Sequence, residues 1–269
     1  MKYLYTKSKW ELPEATLAEF ARKLKADGFD GADLYLPGQM EKPEEIAATF
    51  QNEGLVLIAH IGTQGRAPRD HIASLEEQIA RAAACRPLLI NCHAGKDHYP
   101  FEETVRLLAR SMELEREYGL PICHETHRGC PLFNTTETMR YLDAVPGLRL
   151  TADFSHWTCV HESTLEDQPE RMEQAISRTH HLHARVGHSE GPQVSHPLAP
   201  ENKPWLDLHL GWWKRIVAAR AARGETVQTV TPEFGPATYM PVIPFENRPV
   251  ADAWTVNVEM LRWLRANLG

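Results

Sequence analysis

Six apolar runs in this chain end in residues able to bind a metal ion or carry a proton. They close as Ala59-His60-Ile61-Gly62, Asn91-Cys92-His93-Ala94-Gly95, Cys123-His124-Glu125-Thr126-His127, Ala152-Asp153-Phe154-Ser155-His156-Trp157, His181-Leu182-His183-Ala184-Arg185 and Pro232-Glu233-Phe234-Gly235. Singly, each has an ordinary explanation: a histidine at a strand end usually hydrogen-bonds in the core or at the surface, and an aspartate there usually caps a helix. Glu125 and Glu233 fit that explanation poorly, because each follows a strongly apolar stretch and a buried carboxylate without a partner is costly. A divalent cation is the simplest shared partner. Mixed imidazole and carboxylate donors suit Zn²⁺, Mn²⁺ or Co²⁺ better than Ca²⁺. Alternation along the seventh run puts His181 and His183 on one face and His180 on the other, so His181 or His183 is the candidate ligand. His124 points away from Glu125 and reads as structural, while Asp153 and His156, three residues apart, can divide metal and substrate between them.

The elements that must carry these residues alternate along the chain. Apolar runs at 2–5, 31–36, 55–61, 88–93, 120–125, 148–153, 180–186 and 227–233 are separated by amphipathic stretches near 13–27, 42–53, 69–84, 101–118, 134–144, 167–177, 204–223 and 250–267. Asn134-Thr135-Thr136-Glu137 is an N-cap signature, and Gly28, Gly54, Gly119, Gly147 and Gly224 stand where helices should stop. Runs such as Leu55-Val56-Leu57-Ile58-Ala59 lack alternation, as expected of strands buried on both faces of a parallel sheet. Eight such units in 269 residues, with no linker and no low-complexity stretch, predict an α/β chain folded as one (β/α)₈ TIM barrel over 1–269. An open doubly wound sheet is the alternative, but no G-x-G-x-x-G follows the first strand and there is no P-loop. In a barrel the C-terminal strand ends share one rim, so the chemical residues of all six runs converge there.

In that order the constellation resembles the xylose isomerase-like barrel superfamily, which holds sugar isomerases and epimerases and the endonuclease IV class. The resemblance spans nearly the whole chain and rests on Gly28-Phe29-Asp30-Gly31, His93, His124-Glu125-Thr126, Asp153-Phe154-Ser155-His156, His181-Leu182-His183 and Glu233. It implies one divalent metal held by Glu125, Asp153, His183 and Glu233, with His156 and Arg185 contacting substrate. It also implies a metal-dependent isomerase or epimerase acting on a sugar, sugar derivative or polyol. A metal chelated by a carbonyl and an adjacent hydroxyl acidifies the neighbouring C–H. Glu125 and Glu233, on opposite sides of that carbon, would remove and return the proton. Return on the opposite face epimerises the centre, and return at the neighbouring carbon isomerises aldose and ketose. His60, His93 and Lys96 are then expected to bind hydroxyls, and Trp157, Phe234 and Tyr239 to pack on the sugar or in the core.

The nearest rival is an endonuclease IV-like phosphodiesterase, since His60 and His93 match histidines that hold an additional metal there; a second metal is therefore part of the expectation. The loop after the seventh run has His188 and His196 but no D-x-H, so a trinuclear set is incomplete. A net charge of −7 and the lack of a basic stripe also weigh against nucleic acid. A non-catalytic sugar- or metal-binding barrel is a third reading, opposed by the pair of Glu125 and Glu233. No apolar run approaches bilayer length, and the N-terminus reaches Lys-Ser-Lys before any signal-like core, which points to a cytoplasmic protein. Five cysteines, without a C-x-x-C pair, read as free thiols, with Cys92 and Cys123 in the core. Trp205 and the Trp212-Trp213 pair mark either helix core or a subunit interface of a homodimer or homotetramer. The segment 187–204, with four prolines, reads as a lid or an oligomer contact, and His71 and His209, on helices, as surface residues.

Overall fold

A computed structural model describes residues 1–268. Eight parallel strands close in sequence order: β1 (Lys2–Lys7), β2 (Gly31–Tyr35), β3 (Val56–Gly62), β4 (Leu89–His93), β5 (Ile122–Glu125), β6 (Arg149–Ala152), β7 (Thr179–His183) and β8 (Val227–Thr231), with β8 returning to pair with β1. The outer ring comprises α1 (Leu17–Asp27), α2 (Pro43–Asn52), α3 (Pro68–Ala84), α4 (Phe101–Tyr118), α5 (Thr135–Ala144), α7 (Pro169–Arg178), α8 (Lys203–Ala222) and α9 (Ala253–Asn267). This is the (β/α)₈ barrel expected from the alternation.

Three local features depart from the sequence reading. A short helix α6 (Ser155–His161) follows β6 directly, folding Asp153-Phe154-Ser155-His156 into its first turn. A two-stranded hairpin, β9 (Val242–Ile243) with β10 (Arg248–Pro249), stands in the β8–α9 connection and delays α9 to Ala253. Helix α1 begins at Leu17 because Thr16 and Glu19 form a reciprocal capping box there, leaving Pro13 outside. At its other end Gly28 takes a left-handed φ of 88°, which closes the helix before β2.

The core divides by strand parity. Side chains facing outward from the strands pack with the helices into one continuous apolar layer. Inside the barrel, Ile58, Leu89 and Cys123 form a separate small apolar cluster. Two residues further along the same strands, on the same face, come His60, Asn91 and Glu125. The barrel interior thus changes from apolar to polar within one side-chain layer, and the polar layer lies under the C-terminal rim.

His209 and His71 are both fully buried, which corrects their reading as surface residues. His209 donates from Nδ1 to the Trp205 carbonyl (2.8 Å), and His71 bonds Thr63 Oγ1 through Nδ1 (2.7 Å) and Tyr99 through Nε2 (3.0 Å). Each occupies an otherwise apolar helix face because its two ring nitrogens find partners, a condition that helical periodicity alone does not reveal. Trp212 and Trp213 are buried within the chain, so the helix-core reading of that pair holds. Cys92 and Cys123 are buried and none of the five cysteines is paired. No described helix is long and apolar enough to cross a membrane.

Candidate active site

The rim encloses a cavity of about 480 Å³, lined among others by Trp10, Asp33, Tyr35, His60, His93, Glu125, His127, Arg185, Glu233 and Tyr239. Glu125 and His183 are the last residues of β5 and β7, so the strand ladder sets their positions. Asp153 lies one residue beyond β6 and Glu233 two beyond β8. Asp153 is tied back to the ladder when its N–H donates to Thr126 Oγ1 (2.9 Å).

Glu125, Asp153, His183 and Glu233 are all buried, and each offers a donor atom within 4.8 Å of the others. His183 stands at their centre. Its Nε2 donates to Asp33 Oδ2 (2.9 Å), which leaves Nδ1 facing Glu233 Oε2 at 2.6 Å and Glu125 Oε2 at 3.3 Å. Neither oxygen lies along a hydrogen-bond direction, and Nδ1 has no hydrogen-bond partner. An imidazole whose far nitrogen is held by a carboxylate, and whose near nitrogen faces carboxylates without bonding them, is arranged as a metal ligand. Burial disfavours charge on His183, yet Glu233 and Glu125 hold its pKa well above the usual histidine value. Positive charge at the centre of the cluster is thus favoured, and the donor set of the four residues could hold a divalent metal. Three carboxylates and one imidazole suit Mn²⁺, Co²⁺ or Zn²⁺.

Arg185 is the other compensating charge. Its Nε donates to Asp153 Oδ2 (3.0 Å) and its Nη2 to Glu233 Oε2 (2.7 Å), while the guanidinium lies 4.3 Å from the Tyr239 ring centroid. Burial and the neighbouring carboxylates Glu233 and Glu125 raise the Asp153 pKa to about 6, although Arg185 opposes the shift. Glu233 behaves oppositely: against burial, His183 and Arg185 lower its pKa to about 2.

A second cluster, His60, His93 and Glu125, also brings donor atoms within 4.8 Å of one another. His93 Nε2 lies 2.8 Å from Glu125 Oε2, and the His60 and His93 rings meet edge to face at 4.6 Å. Burial lowers the His60 pKa to about 4, with the His93 charge adding to the effect.

The remaining expected residues separate by position. Lys96 lines a neighbouring recess with Thr63, Gly95 and Cys130 instead of the central cavity. His156 is fully buried against His127, ring centroids 4.0 Å apart, with its Nε2 3.5 Å from Asp153 Oδ2. Trp157, expected on the sugar or in the core, takes the core position and not the substrate-binding one. It is completely buried, stacks on Phe154 at 4.8 Å and donates from Nε1 to the Leu132 carbonyl (2.9 Å), so its role is core packing. Helix α6 causes this, because it turns the residue after His156 away from the rim. Phe234 is likewise fully buried, and Tyr239 lines the cavity.

Asp33, Trp10 and Tyr35 are site residues that the strand-end pattern does not single out, while Asn91 and His127 stand in the quoted strand-end runs and reach the site without a role expected of them. Asn91 donates to Glu125 Oε2 (2.8 Å). Asp33 accepts from His181 (3.2 Å), His183 (2.9 Å) and Thr231 Oγ1 (3.1 Å). Its signal is present in Gly31-Ala32-Asp33-Leu34-Tyr35, where one aspartate interrupts an apolar strand and demands a buried partner. His181 and His183 both point inward, and only His183 reaches the carboxylates of the four-residue cluster. His180 faces Arg149 and Glu225 on the outside, and His124 bonds Ser111 on α4 (2.7 Å).

Comparison with known proteins agrees with this architecture. A family model described as xylose isomerase-like TIM barrel matches residues 19–203, and the chain belongs to that family. The match contains Glu125, Asp153 and His183, while Glu233 lies beyond it. Solved structures with the same fold include D-allulose 3-epimerase from Methylomonas sp. (14% identity, 99% of this chain and 98% of that one, TM-score 0.69). D-psicose 3-epimerase from Clostridium cellulolyticum is similar at 17% identity, over 100% and 99% of the two chains, with a TM-score of 0.65. Endonuclease IV from Thermus thermophilus is similar at 16% identity, over 99% and 100%, with a TM-score of 0.58. No curated protein sequence matches this chain.

Proposed function

We propose that the protein is a divalent-metal-dependent isomerase or epimerase acting on a small carbohydrate: a sugar, sugar derivative or polyol. The observation that carries this reading is the placement of Glu125 and Glu233. They come from strands three positions apart around the barrel, border the same cavity, and flank His183 Nδ1 at 3.3 and 2.6 Å. Two carboxylates meeting one bound carbon from different sides are what proton removal and return require. Glu125, Asp153, His183 and Glu233 would hold the metal, which when bound acts as a Lewis acid on a carbonyl and its neighbouring hydroxyl. One of the glutamates takes the proton and the other delivers it. His60 and His93 donate to hydroxyls at the cavity wall, Arg185 holds Glu233 and Asp153 in place, and Trp10 and Tyr239 cover the apolar face of the ring. Unpaired cysteines fit a reducing compartment, the cytoplasm.

Wild-type protein loaded with Mn²⁺ or Co²⁺ and incubated with ketoses, aldoses and inositol-type polyols in D₂O should introduce deuterium next to a carbonyl. Glu125→Gln should slow that uptake by about 10²–10⁴-fold. Deuterium uptake unchanged in both Glu125→Gln and Glu233→Gln would defeat the assignment.

The endonuclease IV-like reading draws on one observation, the His60, His93 and Glu125 cluster, which would hold a second metal. His188 and His196 do not support it. His196 pairs with Glu259 on α9 (3.2 Å), His188 bonds within its own turn, and neither lines the central cavity. Cleavage of a duplex carrying an abasic site, with no deuterium uptake from any sugar, would favour it over the isomerase.

A further inference from the structure

Glu233 raises a mechanical question. The ladder of β8 ends at Thr231, whose carbonyl accepts from Ala184 N (2.7 Å), and the next residue is Pro232, which has no N–H. Glu233 therefore leaves the barrel wall with no strand beside it, although its carboxylate must meet atoms from β5, β6 and β7.

Two side-chain amides take the place of the missing strand. Asn257 on α9 accepts from Phe234 N at Oδ1 (2.8 Å) and donates from Nδ2 to Phe234 O (2.7 Å). Gln193, from the proline-rich connection between β7 and α8, accepts from Gly235 N at Oε1 (2.7 Å) and donates from Nε2 to Gly235 O (3.1 Å). Each amide thus satisfies both backbone groups of one residue, reproducing the paired bonds of a strand neighbour at two successive positions. Both amides are buried, Asn257 completely. Asn257 is itself fixed by Glu11 Oε1 (2.8 Å), which is paired with the buried Lys7 at the end of β1. Gly235 also packs closely under Trp10, where a Cβ would stand 2.5 Å from the ring, so the turn there has no room for a side chain.

We infer that Gln193 and Asn257 are positioning residues: they fix the Phe234-Gly235 backbone and thereby hold the Glu233 carboxylate where the metal-ligand cluster needs it. The proline-rich segment then serves as a clamp from behind the site, and none of residues 187–204 lines the central cavity. This inference rests on the metal-site reading above.

The test uses Co²⁺ alone as the probe, with the visible absorption of the full-length protein as readout. Gln193→Glu keeps the shape and the bond from Gly235 N but loses the donor to Gly235 O. Gln193→Ala removes both bonds. We expect Co²⁺ affinity to fall about tenfold in Gln193→Glu and further in Gln193→Ala and Asn257→Ala, with an altered cobalt spectrum. The far-UV circular dichroism should stay unchanged in Gln193→Glu, and amide exchange at Phe234 and Gly235 should speed up in the alanine variants. Wild-type affinity and spectrum in all three variants would overturn the clamp while leaving the metal site standing. A wild-type protein that gives no cobalt spectrum defeats the metal reading first, and the clamp's purpose with it.

Discussion

Asp33 decides what His183 can do. Its Oδ2 accepts a hydrogen bond from Nε2 of His183, so Nδ1 is the nitrogen turned toward Glu125 and Glu233. Burial alone would raise the Asp33 pKa, but hydrogen bonds from His181 and His183 hold it well below the usual carboxylate range, so it stays an acceptor. Asp33→Asn preserves the shape and removes the charge that makes the imidazole a stronger donor. On the proposed reading, Mn²⁺ affinity measured by calorimetry should fall about tenfold in this variant. An unchanged affinity would mean that His183 does not use Nδ1 on the metal. Asp33 shows the limit of reading residues by strand ends. Glu125, Asp153 and Glu233 could be found because each sits just past an apolar run. Asp33 lies mid-strand, and its significance comes from His181 and His183, about 150 positions away in sequence.

At the scale of elements, the eight strands were legible because parallel strands buried on both faces leave unmistakable apolar runs, and Gly28 and Gly119 mark helix ends by their left-handed backbone. Helix α6 and the β9–β10 hairpin were not, because both are short and their hydrophobic pattern has no room to repeat. The consequence fell on Trp157, whose direction depends on α6. Helix α8 offers a measurable consequence of another missed placement. His209 is buried beside Trp212 and Trp213, donates from Nδ1 to Trp205 O, and accepts weakly at Nε2 from Gly187 N (3.4 Å). A second ring proton would point at a donor in an apolar setting, and burial lowers the His209 pKa from 6.5 to about 4. A histidine depressed in this way contributes stability above the unfolded-state pKa of about 6.5. That contribution is lost as pH falls toward 4, because the unfolded chain binds a proton that the folded chain refuses. Within that window the wild type should lose up to about 1.4 kcal/mol per pH unit from this residue. Urea unfolding at pH 6.5 and 4.5 should show a shallower loss in His209→Gln. Equal losses in the two proteins would show that His209 titrates freely in the fold.

For the whole molecule, the candidate metal cluster would also be a structural joint. Its four residues come from the ends of four consecutive strands, β5 to β8, and β8 closes the barrel on β1. Three buried carboxylates converge there on one histidine and one arginine, and Arg185 Nη1 has no hydrogen-bond partner. A ligand that binds the folded chain and not the unfolded one stabilises it by about 2.7 kcal/mol at a hundredfold excess over its dissociation constant. At this chain length that corresponds to a rise in Tm of roughly 5 °C. Thermal unfolding of chelator-treated protein should therefore shift upward by that amount on adding Mn²⁺, Co²⁺ or Zn²⁺, and fall back when the chelator is restored in excess. Asp153→Asn and Glu233→Gln should each lose most of the shift while unfolding near the Tm of metal-free wild type, since each removes one of the converging charges along with a ligand. A Tm indifferent to all three ions would leave the cluster a buried ion-pair network, and the proton-transfer chemistry built on it would have no support.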